Sequence, residues 1–353
     1  MHRSKIVVLL MVTVAFCAFG YGQNGGIRFA LTDLQSSLPS SATSSSAIGI
    51  NEGGAVVGAY VDSSGNSYCF TWSIILLRGH GLRQVKTFIS TVWPYSCIPV
   101  GINKNGNVAG NIEDLQPFGS GPAFAFLYTN AFTNFPSGSY AFGINDYNQV
   151  IGAMGWIYYA TLWTSNGQAV VLDPNPLTEA VATTPNGTEV VAFLNSAPPV
   201  ASIWPALSPV NYGHCQALSS QFAFNVNGHL VGSLWCNGNA YGPDQWATLW
   251  TNPSQPPQII GATGSTTALG ISSDDWVVGQ DTGSGVGLIR DPNCLAMVDV
   301  NSLLDSTGAG WKVIAAWGIN TAHKIVGQAT NSAGQTHAVL LTPDNNLNVC
   351  IPD

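Results

Sequence analysis

Charged side chains are scarce in this chain of 353 residues, since Asp, Glu, Lys and Arg make up 8% of it, against roughly 25% in ordinary soluble domains. Lys and Arg number 10 against 18 Asp and Glu, and the formal net charge is −8 at pH 7. Nucleic acids and anionic membranes bind proteins through clustered basic residues. The composition therefore argues against both as partners, and hydroxyl and amide groups must hydrate much of the surface.

The chain also lacks an apolar run long enough to span a bilayer. The apolar stretch 6–18 has about 13 residues, whereas a transmembrane helix needs roughly 20. His2, Arg3 and Lys5 precede this stretch, and small residues follow it between positions 18 and 22. This order is typical of a secretory signal peptide. We predict a signal peptide over 1–22 and a single mature domain over 23–353, secreted to the periplasm or the cell exterior.

No C-x-x-C spacing occurs among the seven cysteines, which argues against thioredoxin-like and zinc-ribbon sites. Removal of the signal peptide takes Cys17 and leaves an even number, which favours disulfides in an oxidising compartment. The remaining cysteines fall as three sequential pairs, and joining neighbours gives 69–97, 215–236 and 294–350. Sequence alone leaves the connectivity open, because six cysteines allow fifteen pairings. The six are Cys69, Cys97, Cys215, Cys236, Cys294 and Cys350.

One sequence unit recurs seven times along the chain. Each copy has an apolar residue, an Asn, residues that tolerate positive φ, an aliphatic residue five positions after the Asn, and Gly or Ala seven positions after it. We interpret this part as two strands joined by a hairpin turn. The copies align without gaps, and in the degenerate fourth copy Pro185 replaces the Asn. They begin at Gly49, Gly101, Gly143, Thr183, Ala223, Gly270 and Gly318.

Each copy continues with a third strand whose second residue is small, which indicates close packing against a neighbouring sheet. A weaker fourth strand follows, for example at 169–173, 257–260 and 295–299. Four strands in about 40 residues predict an all-β fold, a seven-bladed β-propeller of four-stranded blades. Residues 27–34 resemble a fourth strand without a blade, so we expect them to complete the last blade and remove the exposed sheet edges. The small residues are Cys69, Ala125, Ala160, Ala201, Ala247, Gly287 and Ala338.

These copies resemble the bacterial extracellular HAF-type repeats, whose unit runs roughly G-I-N, two residues, G, then V-V-G, then H-A-F-L-W. The best match is the last copy, with Gly318-Ile319-Asn320, Ile325-Val326-Gly327 and His337-Ala338-Val339-Leu340-Leu341. The resemblance covers nearly all of the mature chain, although only the last copy keeps the His of the His-Ala pair. It implies a secreted bacterial repeat protein without an established activity.

Motifs of catalysis and metal binding are missing, since no H-E-x-x-H, G-x-S-x-G or P-loop pattern occurs. His229 and His323 fall between first and second strands, and we interpret them as turn residues rather than metal ligands. Calcium is the one cofactor that the sequence suggests, because Asp274, Asp275 and Asp281 offer oxygen ligands, although no spaced calcium loop supports it.

Paired acids could act as general acid and base if they met across a cleft. The pairs are Asp274-Asp275, which we interpret as turn residues, and Glu113-Asp114. For an enzyme, such acids would have to come together from different blades.

Two groups of side chains depart from the repeat. The insertion in the first copy carries His80 and three cations, Arg78, Arg83 and Lys86. They could bind an acidic ligand or mark a charged edge strand that discourages aggregation, and the second interpretation is favoured. Aromatic residues in other loops could stack on sugar rings or pack inside the protein. They are Trp156, Trp235 and Tyr241.

Seven near-equivalent blades without an asymmetric catalytic cluster favour a non-enzymatic, monomeric binding or surface-interaction module. Its partner would be a glycan or a cell-surface protein. The alternative is a carbohydrate-active enzyme, a lyase or hydrolase, with its site at the propeller mouth. We expect a site where the copies differ most, in blades one, five and six.

Overall fold

The computed structural model describes residues 27–76, 82–89, 95–114, 124–155, 157–194, 199–215, 217–218, 221–236 and 244–344. Side chains are described in these ranges except at 75–76, 82–89, 95, 114 and 217–218. The described residues form seven antiparallel sheets around a central channel, and the first strand of each sheet lines that channel. This is the predicted all-β, seven-bladed propeller.

The blades follow one another along the chain, and each runs from an inner first strand to an outer fourth strand. Blade one contains β2 (Ala42–Ile50), β3 (Val56–Asp62), β4 (Ser67–Leu76) and β5 (Leu82–Ile89). Blade two contains β6 (Tyr95–Ile102), β7 (Val108–Asp114), β8 (Phe124–Tyr128) and β9 (Phe132–Asn134). Blade three contains β10 (Ser139–Ile144), β11 (Val150–Met154), β12 (Tyr159–Trp163) and β13 (Ala169–Val171). Blade four contains β14 (Thr178–Thr183), β15 (Val190–Leu194), β16 (Val200–Trp204) and β17 (Ser208–Pro209).

In blade five the first strand is split into two short pieces that both pair with the second strand. This blade contains β18 (Ala217–Leu218), β19 (Ala223–Phe224), β20 (Leu230–Trp235), β21 (Gln245–Trp250) and β22 (Gln258–Ile259). Blade six contains β23 (Thr266–Ile271), β24 (Val277–Asp281), β25 (Val286–Arg290) and β26 (Val298–Asp299). Blade seven contains β27 (Trp311–Ile319), β28 (Ile325–Asn331), β29 (Thr336–Pro343) and β1 (Phe29–Asp33). Short 3₁₀ helices span Gln35–Ser37, Val300–Leu303 and Ser306–Gly308.

Strand β1 completes the seventh blade and closes the ring, as predicted. It pairs antiparallel with β29, and the Leu34 amide extends the ladder by donating to the Ala338 carbonyl oxygen at 2.9 Å. Ile27, Phe29 and Leu34 are at most 1% exposed. Full burial of such a side chain contributes about 1.5–3 kcal/mol. Closure therefore rests on apolar packing as well as on backbone hydrogen bonds.

The residue that ends the Val-Val-Gly run lies against a first-strand carbonyl beside a bulge, and it is Gly in six blades and Ala192 in blade four. The register of β2 against β3 shifts between Ala47 and Gly49, which turns a first-strand carbonyl toward the second strand. A Cβ atom on Gly58 would lie 2.2 Å from the Ser46 carbonyl oxygen. The equivalent distance in five other blades is 1.8 to 2.9 Å, at Gly110, Gly152, Gly232, Gly279 and Gly327. The predicted demand for a small residue thus has a steric cause.

In six blades the small residue of the third strand contacts the next blade, as predicted. A Cβ atom on Gly287 would lie 2.9 Å from Cγ1 of Val313 in blade seven. In four blades the amide N–H of the small residue donates to a Ser or Thr hydroxyl on the next blade's first strand. These pairs, at 2.9 to 3.1 Å, are Ala125 with Ser139, Ala160 with Thr178, Ala247 with Thr266, and Ala338 with Ser45.

Two predicted disulfides are present. Cys69–Cys97 joins blades one and two, and Cys215–Cys236 lies within blade five. Cys294 is also disulfide-bonded, while its predicted partner Cys350 lies outside the described residues. Disulfides persist in oxidising compartments, so these bonds indicate such a compartment. The predicted signal peptide 1–22 lies outside the described residues. Among the described residues, no helix has the length and hydrophobicity that crossing a bilayer requires.

The fourth copy corrects the ungapped alignment of the repeats. Thr184, not Pro185, occupies the Asn position, because its amide donates to the Glu189 carbonyl oxygen at 3.0 Å and its hydroxyl accepts from the Glu189 amide at 3.1 Å. In blade one the corresponding turn is one residue shorter, since the Asn51 amide donates to the Ala55 carbonyl oxygen. The extra turn residue shifts the first strand of blade four by one position.

Candidate functional site

The Asn of the Gly-Ile-Asn run has two roles, and the sequence predicted one of them. Its Oδ1 atom holds the hairpin turn, as at Asn103, where it accepts from the amides of Asn105 at 3.1 Å and Asn107 at 3.0 Å. Its Nδ2 atom reaches the next blade, where Asn103 donates to the Asn145 carbonyl oxygen at 3.0 Å. An amide side chain can do both because it carries an acceptor and a donor.

These inter-blade bonds form a partial ring on the side of the propeller where the first and second strands are joined. Asn51 donates to the Asn103 carbonyl oxygen at 2.9 Å, Asn225 to that of Ser272 at 3.0 Å, and Asn320 to that of Asn51 at 3.0 Å. The last bond joins blade seven to blade one. At blade four the ring is interrupted, because the Asn145 side-chain amide donates to Gln149 of its own turn and the Thr184 side chain has no NH₂ group. It is also interrupted between blades six and seven, where the Ser272 hydroxyl donates to Asp274 within its own turn.

Blade six replaces the Asn with Ser272, and its turn binds a histidine from each neighbouring blade. Nδ1 of His229 in blade five lies 2.7 Å from Oδ1 of Asp275, and Nε2 of His323 in blade seven lies 2.7 Å from Oδ2 of Asp274. Both histidines lie in turns, as predicted. The two His–Asp pairs connect blade six to both neighbours.

Asp274 accepts hydrogen bonds from both Ser272 and His323. Partial burial opposes its ionisation, but hydrogen bonds with Ser272 and His323 outweigh burial and hold the pKa of the Asp274 carboxyl below its ordinary value. Asp275 and His323 also have positive φ, at 67° and 52°. The residue at this turn position has positive φ in all seven blades, so the conformation belongs to the repeat and not to this cluster alone.

The central channel has two mouths, and they differ in how their polar groups are used. The turn-side mouth, next to the Asn ring, has a volume of about 510 Å³ and includes residues from all seven blades. Its polar rim groups pair with one another across blades. The Lys104 Nζ atom lies 3.6 Å from Asp146 Oδ2, and the Thr321 amide donates to Glu52 Oε2 at 3.0 Å. Few of these polar groups are left for a ligand.

The opposite mouth is a cavity of about 490 Å³ at the other end of the channel, lined by apolar side chains together with Glu179 and Gln221. Its wall is a ring of apolar side chains, one from each blade, three positions before the Asn position. Phe142 is 39% exposed, so its ring is open to the cavity. The ring consists of Ile48, Val100, Phe142, Val181, Phe222, Leu269 and Trp317. Cavities of this size and polarity hold small organic ligands.

Glu179 supplies the one charged side chain among the described residues that line the opposite mouth. It lies on β14 and is half-buried. Burial raises the pKa of the Glu179 carboxyl above its ordinary value. No hydrogen bond or ion pair to this carboxylate occurs among the residues that the structure describes. Gln221 of blade five lines the same mouth and is exposed to solvent.

Of the side chains proposed from sequence as ligand-binding residues, the structure describes that of Trp235. Arg78, Trp156 and Tyr241 lie outside the described residues. The backbone of Arg83 lies on β5, the outer edge strand of blade one. Trp235 ends β20 and is half-buried. Their part in binding remains a prediction.

The three predicted calcium ligands are not brought together. Asp274 and Asp275 precede β24, whereas Asp281 ends it and accepts hydrogen bonds from Thr263 and Gly283. Within the described ranges, no group of three or more His, Cys, Asp or Glu side chains could hold a metal ion. Glu113 ends β7 beside Asp114, whose side chain is not described.

Sequence reasoning missed both the channel ring and Glu179. A signal for them exists, because the position three before the Asn is apolar in every copy once the extra residue of blade four is allowed. Glu179 is also the one acidic residue in the first strands β2, β6, β10, β14, β18, β19, β23 and β27. The misalignment of blade four hid Glu179, and the prediction that the site lies in blades one, five and six stays a prediction.

No protein-family model matches this chain, and no curated protein matches it. The resemblance to HAF-type repeats therefore stays a prediction. Among solved structures, the chain is similar to a putative TolB from Agrobacterium tumefaciens, with 10% identity, coverage of 68% of this chain and 92% of that chain, and a TM-score of 0.43. It is also similar to YCF48 bound to D1 peptide, with 13% identity, coverage of 89% and 96%, and a TM-score of 0.46. A protein of unknown function from Dyadobacter fermentans shows 11% identity, coverage of 91% and 99%, and a TM-score of 0.45. Likenesses this weak carry no argument about what the protein does.

Proposed function

We propose that this protein is a secreted, non-enzymatic binding protein that takes its ligand into the opposite mouth of the channel. The observation that carries the proposal is the contrast between the two mouths. At the turn-side mouth the rim charges of Lys104 and Asp146 pair with each other, whereas the opposite mouth combines an apolar wall with an unpaired carboxylate at Glu179. Pre-formed apolar cavities with a few polar groups are the usual form of a ligand site.

Secretion is part of the proposal. It is supported by the two disulfides and by the basic head and apolar stretch at the start of the sequence. We expect the protein to be exported with loss of about 22 residues, in line with a signal peptide. N-terminal sequencing of protein recovered from the periplasm and the medium tests this. An intact N-terminus on exported protein would contradict the predicted cleavage.

Two substitutions on one strand test which mouth binds. Val100 and Ile102 lie two residues apart on β6, and they line the opposite and the turn-side mouth respectively. Val100→Trp should fill the opposite mouth and abolish binding, while Ile102→Trp serves as the matched control and should retain it. The probes are a glycan array, insoluble polysaccharides and a library of apolar small molecules, with circular dichroism to confirm folding. The proposal would be refuted if no probe binds, or if both folded variants lose binding to the same extent.

A carbohydrate-active enzyme is the second candidate, and the His–Asp pairs favour it. Ionisable groups from blades five, six and seven meet within hydrogen-bonding distance at His229–Asp275 and His323–Asp274. Polysaccharide cleavage, followed by release of reducing ends and of unsaturated products, tests it. Hydrolase or lyase activity that Asp274→Asn and Asp275→Asn both abolish would establish this candidate. Unchanged activity in both variants, or no activity on a broad panel, would count against it.

A further inference from the structure

We propose that the opposite mouth binds an organic cation, an ammonium group carried on an apolar body, between the Glu179 carboxylate and the aromatic rings of Phe142, Phe222 and Trp317. The inference rests on the proposed function, since it names the ligand class of the same mouth. A glycan without a cationic group would leave the charge of the Glu179 carboxylate uncompensated.

The first step concerns the charge of Glu179. A carboxylate in an apolar cavity is unfavourable unless a cation or hydrogen-bond donors compensate it. Among the described residues lining this mouth there is no Lys, Arg or His. The carboxylate therefore has two ways to be neutralised, by a proton or by a positively charged ligand. The carboxylates at the turn-side mouth need no cationic ligand, because Asp146 is paired with Lys104 and Glu52 accepts from Thr321.

The second step concerns the aromatic rings around Glu179. Phe142 belongs to blade three and Phe222 to blade five, so they flank the blade that carries Glu179. Trp317 faces the same cavity from blade seven. Its Nε1 atom is buried without a hydrogen-bond partner among the described residues, so ring carbons, not the N–H, are offered to the cavity. Aromatic faces attract ammonium groups, and alkylammonium ligands are recognised in this way.

The third step concerns size. A volume of about 490 Å³ lies within the range of roughly 300–1,000 Å³ that holds small organic ligands. An alkyl or aryl chain would cover the apolar wall formed by Ile48, Val100 and Leu269. Gln221 at the rim offers both a donor and an acceptor for a polar end of the ligand.

The experiment uses hexyltrimethylammonium, hexanol and hexanoate as probes and measures binding to the full mature chain by isothermal titration calorimetry. We expect the cation to bind at least tenfold more tightly than hexanol, and hexanoate to bind most weakly because Glu179 repels it. Glu179→Gln should weaken binding of the cation about tenfold and leave that of hexanol unchanged. The matched control is Glu113→Gln, which makes the same change of charge on β7 outside the channel.

A second variant separates the aromatic contribution from folding. Phe142→Leu keeps an apolar side chain in the wall but removes the ring, so binding of the cation should weaken about threefold while hexanol binding changes little. Melting temperatures of all variants show whether they fold. If hexanol binds as tightly as the cation to both wild type and Glu179→Gln, the cation inference is overturned and the binding site stands. If neither probe binds and Val100→Trp changes nothing, both proposals fail.

Discussion

Asn103 provides the sharpest test of the inter-blade ring, because one substitution replaces its NH₂ donor by an acceptor oxygen and preserves the shape of the side chain. In Asn103→Asp the Oδ1 atom can still accept from the turn amides of Asn105 and Asn107. The Nδ2 donor is replaced by an oxygen that faces the Asn145 carbonyl oxygen at 3.0 Å and the Asn148 Oδ1 atom at 2.8 Å. The Asn148 amide can turn to present its NH₂ group, but a backbone carbonyl cannot.

The expected cost follows from these contacts. Asn103 is 4% exposed, so water cannot replace the lost donor. The Asn145 carbonyl oxygen still accepts from the Asn148 amide at 3.2 Å, so the substitution removes one buried hydrogen bond, about 0.5–1.5 kcal/mol. The larger part of the cost comes from a desolvated negative charge placed beside that carbonyl oxygen. We expect Asn103→Asp to lower the free energy of unfolding by about 3 kcal/mol. Asn145→Asp is the matched control, because Asn145 is 1% exposed and gains the same buried charge, but it donates within its own turn to Gln149, whose amide can turn. It should therefore cost about 1 kcal/mol less than Asn103→Asp.

Urea unfolding of wild type and both variants at pH 7, followed by tryptophan fluorescence, measures this difference. Repeating the urea titration below about pH 4 gives an independent test, because the introduced carboxyl is protonated there and regains a hydrogen-bond donor. The loss in Asn103→Asp should then shrink. Equal losses in the two variants at pH 7, or a loss in Asn103→Asp that does not depend on pH, would refute the role assigned to the ring.

Three further outcomes are expected. Gly58→Ala should destabilise the protein by roughly 3 kcal/mol in thermal unfolding, because its Cβ would lie 2.2 Å from the Ser46 carbonyl oxygen; a neutral effect would contradict the steric cause. Replacing Cys69 and Cys97 together by Ala should cost about 3–4 kcal/mol in chemical unfolding, from a loop with a sequence separation of 28, and reductant should then affect the variant less than wild type. Because the pKa of the Glu179 carboxyl is raised in the folded protein, wild type loses stability as pH rises through that pKa. Glu179→Gln should therefore be more stable than wild type by a fraction of a kcal/mol at pH 7 and no more stable below about pH 4, and a difference that is independent of pH would contradict this.

The strand content of each blade was predictable because the repeat constrains it locally. The third strands lie where the sequence placed their small second residues, since Ala125 is the second residue of β8 and Gly287 the second residue of β25. The small residue of the third strand and the small residue of the second strand carry steric demands, which the sequence pattern records in every copy, the second as Gly in six copies and as Ala192 in the fourth. Closure by β1 was predictable for a related reason, since an unpaired strand pattern at one end of a ring of repeats has a single vacant position.

The contacts between blades were not predictable, because they depend on orientation rather than on composition. The pattern showed that Asn103 sits in a turn, but not that its Nδ2 atom points toward blade three. In the same way Asp274 and Asp275 looked like ordinary turn residues, and their pairing with His323 and His229 requires the two neighbouring blades to be placed beside them. The alignment of blade four failed because this copy lacks the Asn, so one inserted turn residue could not be recognised from the distance between anchor residues.

Blade four combines the irregularities that matter for a site. Its turn has lost the Asn, so the amide ring is interrupted there, and its first strand carries Glu179. Ring closure does not depend on this blade, since β1 and the Asn320–Asn51 bond close the propeller at blade seven. A blade that is free of both the closing contacts and the amide ring tolerates a residue that destabilises the empty protein. A half-buried carboxylate without a partner is such a residue, and stability is recovered when a ligand of opposite charge binds the folded state.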